Sequence, residues 1–182
     1  MKVHSLELNG LKLIELKVHG DSRGFFVERF NEREFQTHGL PTHFAQDNHS
    51  RSAHGILRGL HYQTNPAQGK LVGVTRGKIW DVAVDIRRDS STFGKHFAVE
   101  LSDENGLMMW VPAGFAHGFC VTSDSTTDVL YKVDTLYSPQ TEGGIAWNDP
   151  ELEITWPVSH PSLSARDQKQ TSFADYCKHP AF

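Results

Sequence analysis

The sequence has little of several features that assign a chain to a broad class of protein. It contains only two cysteines, Cys120 and Cys177, which form no disulfide framework, and a chain of 182 residues is long enough to fold without one. No uninterrupted apolar run approaches the roughly 20 residues that a helix needs to cross a bilayer. The amino terminus also lacks the basic, apolar and small-residue order of a signal peptide. These absences predict free thiols and a cytoplasmic protein without a membrane segment.

The charge of the chain and the distribution of its proline and glycine exclude further classes of protein. The net charge is −4, and the lysines and arginines are scattered, so there is no basic stripe of the kind that binds nucleic acid. A small anionic ligand remains compatible, because a few converging cations are enough to bind it. Neither proline nor glycine clusters into a linker, and no internal repeat occurs. We therefore expect one domain spanning residues 1–182.

Short bursts of alternating apolar and polar residues recur along the chain, which is the period of a half-buried strand. This spacing predicts an all-β sandwich or barrel with a few short helices. The predicted strands are Leu11 to Val18, Gly24 to Phe30, Gly55 to Gln63, Lys70 to Thr75, Lys78 to Arg87, Phe97 to Leu101, Leu107 to Pro112, Gly118 to Thr122 and Asp128 to Asp134.

Turn and helix signals complete the outline. Arg76-Gly77 separates two predicted strands and is typical of a tight hairpin turn. Residues 31–36 predict a short helix, with Asn31 as its cap and Gly39 beyond its end, and the segment after Ser162 predicts another.

Two histidines lie in strand segments punctuated by glycine, without the spacing expected of metal ligands. If residues 55–63 form a regular strand, His61 and Gln63 point to one face and Arg58 points to the other. The second histidine, His117, lies in the segment from Pro112 to Phe119. This combination indicates proton chemistry.

An ordered set of motifs resembles the nucleotide-sugar epimerase family typified by dTDP-4-dehydrorhamnose 3,5-epimerase, and the resemblance runs nearly end to end. That family has the cupin-type jelly-roll fold. Small departures affect two loops and residue 166, where Arg replaces a common Lys. The motifs are Asp21 to Glu28, Gln46 to Ser50, Leu57 to Gln63, Gln68 to Leu71, Asp81 to Arg87, Pro112 to Phe119, Tyr131-Lys132, Tyr137 to Pro139, Glu142, Trp147 to Pro150 and Leu163 to Asp167.

The resemblance implies an enzyme that acts on a dTDP-linked 4-keto-6-deoxyhexose. It would invert C3 and C5 of dTDP-4-dehydro-6-deoxy-D-glucose, giving dTDP-4-dehydro-L-rhamnose for dTDP-rhamnose biosynthesis, in which the product supplies cell-surface polysaccharide. Two alternatives remain open: an epimerase that inverts only C3 or C5 for another deoxysugar, and a carbohydrate-binding jelly roll without catalysis.

The resemblance also implies catalytic roles. His61 would be the base, because an imidazole can accept a proton at physiological pH, and Asp167 would orient it. Lys70 would stabilise the enolate charge. Tyr131 would donate a proton from the opposite face, and neighbouring cations can lower the pKa of its phenol. From the residues alone, His61 would be a bonded core histidine and Lys70 a solvated strand-end lysine, and only the resemblance reverses these interpretations; Tyr131 could be either a core aromatic or the donor.

Binding roles follow from the same resemblance. Arginines suit a diphosphate, because guanidinium can engage two phosphate oxygens at once. An aspartate at position 85 either lies near the catalytic pair or bonds only local groups, and His117 either contacts substrate or braces the cavity. The implied binding residues are Arg23, Glu28, Gln46, Asn48, Arg58, His117, Tyr137, Glu142 and Arg166.

A metal-dependent cupin is the main enzymatic rival, because the segment from Pro112 to His117 matches the second cupin motif. The first motif fails, since His61-x-Gln63 stands where His-x-His is usual, leaving too few ligands. We therefore expect no metal. No organic cofactor is expected either, because epimerisation beside a ketone transfers no hydride. The resemblance further implies a homodimer with exchanged amino-terminal strands, in which Arg23 and Glu28 serve the partner's cavity.

Overall fold

A computed structural model describes all of residues 1–182. The chain is almost entirely β-structure, with two short α-helices and two 3₁₀ turns. The strands are β1 (Lys2–Ser5), β2 (Lys12–Glu15), β3 (Val18–Asp21), β4 (Gly24–Val27), β5 (Gln46–Ser52), β6 (Leu57–Gln63), β7 (Lys70–Arg76), β8 (Lys78–Asp85), β9 (His96–Ser102), β10 (Leu107–Val111), β11 (Phe115–Val121), β12 (Thr127–Val133) and β13 (Glu142–Gly144); the helices are α1 (Glu32–Thr37) and α2 (Phe173–Lys178), with 3₁₀ turns at Pro150–Leu152 and Asp167–Lys169.

The strands form two antiparallel sheets that pack face to face, and a separate hairpin. The first sheet has the order β1-β2-β10-β7-β12-β5, the second has the order β13-β6-β11-β8-β9, and β3 pairs only with β4. This is a β-sandwich of the cupin type, as the sequence predicts. No helix has the length and apolar character needed to cross a membrane.

Alternation along the central strands explains the layering. In β8, Ile79 and Ala83 point between the sheets, whereas Val82 and Val84 point to the outer face, where α2 covers them. The space between the sheets is filled by side chains of β7, β10 and β12 on one side and β8, β9 and β11 on the other. The outer face of the first sheet packs against α1 through Phe35.

The predicted hairpin at Arg76-Gly77 is wrong. Strand β7 pairs with β10 and β12, whereas β8 pairs with β9 and β11, so the turn carries the chain from one sheet to the other. Both edges of each strand already have other partners, and the two strands therefore contribute to opposite walls of the sandwich. Gly77 has φ +78°, and a Cβ there would lie 2.5 Å from Thr127 Oγ1, so glycine suits the tight crossing.

The helix predictions are confirmed. Asn31 caps α1, its side chain accepting hydrogen bonds from the backbone N–H groups of Arg33 and Glu34, and Gly39 follows the helix with φ +66°. The segment after Ser162 contains a 3₁₀ turn and α2. Four strands that the alternation did not predict are β1, β3, β5 and β13.

Candidate active site

A cavity of about 650 Å³ opens between the two sheets, and we call it the central cavity. Its walls come from β5, β7 and β12 of the first sheet, β6 and β11 of the second, and loop residues near its mouth. It brings together most of the candidate residues that the sequence singled out. The lining residues are Gln46, Asn48, Ser50, Ile56, Leu57, Arg58, His61, Gln68, Lys70, Val72, His117, Phe119, Tyr131, Tyr137, Glu142, Ser162, Leu163, Ser164, Arg166 and Asp167.

A histidine and an aspartate form a hydrogen-bonded pair in the wall of this cavity. Nε2 of His61 lies 2.5 Å from Oδ1 of Asp167. The carboxylate is buried, while the imidazole is 23% exposed and open to the cavity. Burial alone would raise the pKa of Asp167, but hydrogen bonds and the charge of His61 hold that pKa below its usual range. The ionised carboxylate can therefore fix the tautomer of the imidazole and stabilise its protonated form.

The distant Asp167 reaches His61 because the chain segment that carries it is fastened at both ends. Ser162 forms a parallel bridge with Ile56, just before β6, and Thr171 forms another with Ile145, just after β13. Between these points, the hydroxyl of Ser164 accepts a hydrogen bond from the backbone N–H of Asp167 at 3.0 Å. The aspartate is thus held beside β6 without being part of a strand.

The prediction that Arg58 and His61 point to opposite faces is wrong. In the pairing of β6 with β11, His61 lies opposite His117, but Arg58 lies opposite Phe119, so β6 contains one extra residue between the two positions. A β-bulge of this kind reverses the alternation. Arg58 and His61 consequently both line the central cavity, and the guanidinium of Arg58 donates to Ser52 Oγ.

A glycine pair permits this bulge. Gly59 has φ +133°, and a Cβ on it would lie 2.5 Å from the Cα of Gly118 on the neighbouring strand. The close backbone approach leaves no room for a side chain, so the position requires glycine.

The opposite wall presents a lysine and a tyrosine from the first sheet. Lys70 begins β7 and donates from Nζ to the backbone carbonyl of His61 at 3.3 Å. Burial lowers the pKa of Lys70 to about 8, although the charges of Glu142 and Asp81 oppose that shift. The ammonium therefore lies beside the strand that carries the imidazole.

Tyr131 lies on β12 and lines the cavity, and Val129, two residues earlier on the strand, shares its inward face. The predicted lowering of its pKa is wrong. Burial raises the pKa of Tyr131, and the nearby charge of Arg58 only partly opposes the effect of burial, while Glu142 adds to it. The phenol is therefore protonated at neutral pH.

A second histidine and aspartate pair lies next to the first. His117 occupies the position opposite His61 in the pairing of β11 with β6, and its Nε2 is 2.5 Å from Oδ1 of Asp81. Sequence reasoning singled out Asp85 instead. In the structure Asp85 accepts hydrogen bonds from Arg87, Ser90 and Thr92 and does not line the cavity, which is the local-bonding interpretation.

Three candidate residues form a hydrogen-bonded group that we call the mouth cluster: Tyr137, Glu142 and Arg166. The Tyr137 hydroxyl donates to Glu142 Oε2 at 2.6 Å, and Arg166 Nη1 donates to the same oxygen at 2.5 Å. Burial would raise the pKa of Glu142, but its bonds to Arg166 and Tyr137 lower it below the ordinary value. Gln46 accepts from the backbone N–H of Tyr137 and donates to Asn48, which ties β5 to the cluster.

Two of the implied binding residues also lie outside the central cavity. Arg23 is in the β3–β4 hairpin and is paired with Asp21, while Glu28 follows the hairpin and accepts a hydrogen bond from Asn31 at 3.1 Å. Two aromatic residues of the same hairpin are exposed to solvent, Phe25 at 67% and Phe26 at 69%. Service of a partner's cavity by Arg23 and Glu28 stays a prediction.

Sequence reasoning missed several residues of the site. Asp81 does not line the cavity itself, but it gave a usable signal, because it is a carboxylate in the middle of a largely apolar strand. Ser50 gave none, since every residue of β5 is polar. The inward apolar positions Val72 and Phe119 resemble ordinary core. No cluster of three or more His, Cys, Asp or Glu side chains is arranged to hold a metal ion.

Comparisons with known proteins point to one family. The family model described as dTDP-4-dehydrorhamnose 3,5-epimerase matches residues 5–175. A protein of that name from Pseudomonas aeruginosa is 52% identical over 177 residues, covering 96% of this chain and 97% of the relative.

Solved structures give the same result. The Legionella pneumophila dTDP-6-deoxy-D-glucose-3,5-epimerase in complex with dTDP-4-keto-L-rhamnose has a TM-score of 0.88 at 46% identity, covering 92% of this chain and 89% of that one. ChmJ, a 3'-monoepimerase from Streptomyces bikiniensis in complex with dTDP-quinovose, has a TM-score of 0.90 at 33% identity, with 96% and 89% covered. With the family model spanning nearly the whole sequence and close relatives matching from end to end, this chain belongs to the dTDP-4-dehydrorhamnose 3,5-epimerase family.

Proposed function

We propose that the protein inverts C3 and C5 of dTDP-4-dehydro-6-deoxy-D-glucose, giving dTDP-4-dehydro-L-rhamnose in dTDP-rhamnose biosynthesis. One observation carries the proposal. His61 lies on one sheet with Asp167 bonded to it, Tyr131 and Lys70 lie on strands of the other sheet, and all four line the same cavity. A cavity of about 650 Å³ is within the range of small-molecule sites.

The first step is proton abstraction beside the C4 ketone. The ketone acidifies the C–H bonds at C3 and C5, because the electron pair left by either proton moves onto the carbonyl oxygen as an enolate. His61 takes the proton and becomes an imidazolium, which the ionised Asp167 stabilises. The ammonium of Lys70 supplies a preorganised positive charge for the enolate oxygen.

The second step is reprotonation from the opposite face. Tyr131 donates its phenolic proton to the carbon, the enolate electron pair forms the new C–H bond, and the ketone is restored. Its raised pKa supports this role, because the phenol retains a proton at neutral pH. Each inversion leaves a phenolate and an imidazolium, and water entering the open cavity returns one proton and removes the other.

The remaining lining residues suit a nucleotide. Arg58 has no carboxylate partner and is available to a diphosphate, and Arg166 contributes a second guanidinium at the mouth. Tyr137 is half exposed there and offers an aromatic face to the base. Gln46, Asn48 and Glu142 provide hydrogen bonds to the base, ribose or sugar, and His117 contacts the substrate from the neighbouring strand.

We propose a homodimer in which the β3–β4 hairpin reaches the partner subunit. The exposed Phe25 and Phe26 support this, because large exposed aromatics on a two-stranded hairpin are typical of interaction sites. Arg23 and Glu28 would then complete the partner's cavity. Light scattering that showed only monomer would contradict the dimer.

We also propose a single domain over residues 1–182 and a cytoplasmic location. The two free cysteines support the cytoplasmic location.

Isotope exchange tests the reaction. Incubation with dTDP-4-dehydro-6-deoxy-D-glucose in deuterated water should label both C3 and C5, and nuclear magnetic resonance of the product should show the inverted sugar. Label at one carbon alone would indicate a single-site epimerase, as ChmJ is. Absence of label at both carbons with intact binding would indicate a carbohydrate-binding protein.

A tyrosine variant tests the two-face mechanism. In Tyr131→Phe, abstraction by His61 and wash-out of label should continue while inversion stops, because the phenol is the donor on the second face. Tyr62→Phe is the matched control, since Tyr62 is also half-buried but packs on the outer face of its sheet. Full epimerisation by Tyr131→Phe would remove Tyr131 from the mechanism.

A further inference from the structure

Gln170 is a polar residue that none of the steps above uses, although it lies directly behind the catalytic pair. Its side-chain amide packs flat against Gly144 of β13, where a Cβ on the glycine would lie 2.4 Å from Gln170 Cδ. Gly144 is in turn the residue that pairs with His61 across β13 and β6. The amide thus fills the space beside the strand position of the base.

The local helix geometry brings this amide to the carboxylate. Asp167 begins the 3₁₀ turn Asp167–Lys169, and Gln170 is the residue that ends it. In a 3₁₀ turn, side chains at positions i and i+3 eclipse each other. Asp167 and Gln170 therefore share one side of the turn, and that side faces β6 and β13. Since His61 bonds to Oδ1 of Asp167, Oδ2 is the other acceptor of the carboxylate.

The amide has a hydrogen to give. Nε2 of Gln170 is buried and has no acceptor at ordinary hydrogen-bond distance. A buried donor without an acceptor is unfavourable, and such groups nearly always find a partner. The charge state of Asp167 agrees: burial would raise its pKa, and the groups that lower it are His61, Ser164 and Gln170.

We propose that Gln170 is a positioning residue that donates its side-chain N–H to Asp167, so that the base is a relay of Gln170, Asp167 and His61. This inference rests on the proposed function, because it assigns His61 as the base. The amide keeps the carboxylate ionised and fixes its rotation, and the carboxylate then fixes the imidazole. Gln170 itself does not touch the substrate.

Other charged groups also face the His61–Asp167 pair and influence its titration. Glu142 lies on β13 and interacts with the charge of His61, Arg166 lies beside Asp167 in sequence, and Lys70 approaches β6 from the first sheet. All of them remain in place when Gln170 is changed. A shift in the titration of the pair can therefore be assigned to the loss of the amide.

Removal of the donor is the first measurement. In Gln170→Met, kcat should fall about tenfold with KM unchanged, since a hydrogen bond to a charged group is lost but no substrate contact changes. The acidic limb of kcat/KM should move to higher pH, because the pair binds its proton more tightly when the carboxylate lacks the amide donor. A purely structural Gln170 would alter stability and leave the limb in place.

A charge-changing variant and its matched control sharpen the result. Gln170→Glu should shift the acidic limb further in the same direction, because a second carboxylate favours the imidazolium. Gln168→Glu adds the same charge to the same turn, but residue 168 is exposed and its effect should be screened. Gly144→Ala should reproduce the Gln170→Met phenotype, because the added methyl group displaces the amide.

The native protein provides a measurement that needs neither a variant nor activity. The side-chain amide resonances of Gln170 should shift with the apparent pKa of the pair in a nuclear magnetic resonance pH titration. Amide resonances that do not follow the pair, or Gln170→Met with unchanged kcat and pH profile, would overturn the proposal. Either result leaves the proposed reaction intact, because isotope exchange at C3 and C5 tests that reaction separately.

Discussion

The molecule contains the same chemical pair, a histidine bonded to an aspartate, at three depths. His117 with Asp81 is buried, its imidazole 8% exposed; His61 with Asp167 lines the cavity at 23%; and His49 with Asp128 lies on the outside at 53%. A general base must reach both its substrate and water, because water removes the accepted proton before the next turnover. Both inner imidazoles line the central cavity above a buried carboxylate, and His61 is the more exposed of the two.

The two inner pairs differ also in how the aspartate is held. Asp81 is part of β8, one strand away from His117, and Oδ2 of Asp81 is buried without a hydrogen-bond partner. Asp167 instead belongs to a loop segment fastened at Ser162 and Thr171. Rigid placement in the sheet suits a pair that braces the cavity or holds a fixed hydrogen bond. The loop position leaves Asp167 free to respond to Gln170 and the substrate.

The largest expected effect is the loss of the cavity imidazole. His61→Ala should lower exchange at both C3 and C5 by about 10² to 10⁴, the usual contribution of a positioned general base. The fold should persist, because the side chain is partly exposed. Isotope exchange at each carbon is the measurement, with circular dichroism to check folding. Exchange that persists at one carbon would require a second base there, and His117 is the nearest candidate.

The buried His117–Asp81 pair should contribute mainly to the stability of the fold. Asp81→Ala leaves the buried imidazole of His117 without its acceptor, so the free energy of unfolding should fall by about 1 to 3 kcal/mol. Asp167→Ala should cost less stability, since His61 can turn to water in the cavity, and should reduce kcat strongly. Urea denaturation of the two variants makes the comparison. Equal stability losses with equal activity losses would erase the distinction between the pairs.

The ammonium on the opposite wall predicts a pH limit on the alkaline side. Because the pKa of Lys70 is lowered to about 8, the group loses its charge as pH rises through that value, and kcat/KM should decline there. Arginine keeps its charge over this range, so in Lys70→Arg the decline of kcat/KM near pH 8 should disappear, even if kcat is lower. A limb near pH 8 that survives in Lys70→Arg would have to come from another group.

Stability should change with pH in the opposite direction over the same range. The pKa of Lys70 is below its unfolded value of about 10.4, so the unfolded chain binds more protons between pH 8 and 10.4. The contribution of Lys70 to stability therefore rises with pH across that window. Loss of the Lys70 charge therefore stabilises the fold, so a fall in activity over this range cannot be caused by unfolding that follows from this deprotonation. In Lys70→Met, the free energy of unfolding should vary less with pH across the window.

The depth of a residue also decided how well the sequence could predict it. The apolar alternation of β7, β8, β10 and β12 follows from burial of one face, and those strands were predicted. Strand β5 has no apolar residue, because its inward side chains line the cavity, and it was missed. A strand that forms a polar wall loses the pattern by which strands are recognised.

Two further errors have a tertiary cause. The bulge that turns Arg58 toward the same cavity as His61 depends on the backbone approach of Gly59 and Gly118, which belong to different strands. The turn at Gly77 changes sheet because of pairing partners far along the chain. Asp167 was identified only through resemblance to a family, since no local pattern joins residues 106 positions apart.

Of the three histidine–aspartate pairs, the outermost, His49 with Asp128, should show the smallest effect of mutation. The pKa of Asp128 is lowered to about 2, chiefly by its hydrogen bond from Arg51, with His49 a lesser cause. His49→Ala should therefore leave the free energy of unfolding almost unchanged, because water screens the exposed imidazole and Arg51 remains bonded to Asp128. Isotope exchange at both carbons should be unchanged, since the side chain of His49 points away from the cavity that its neighbours Asn48 and Ser50 line. A large loss of activity in His49→Ala would mean that exposure does not separate the working pair from the others.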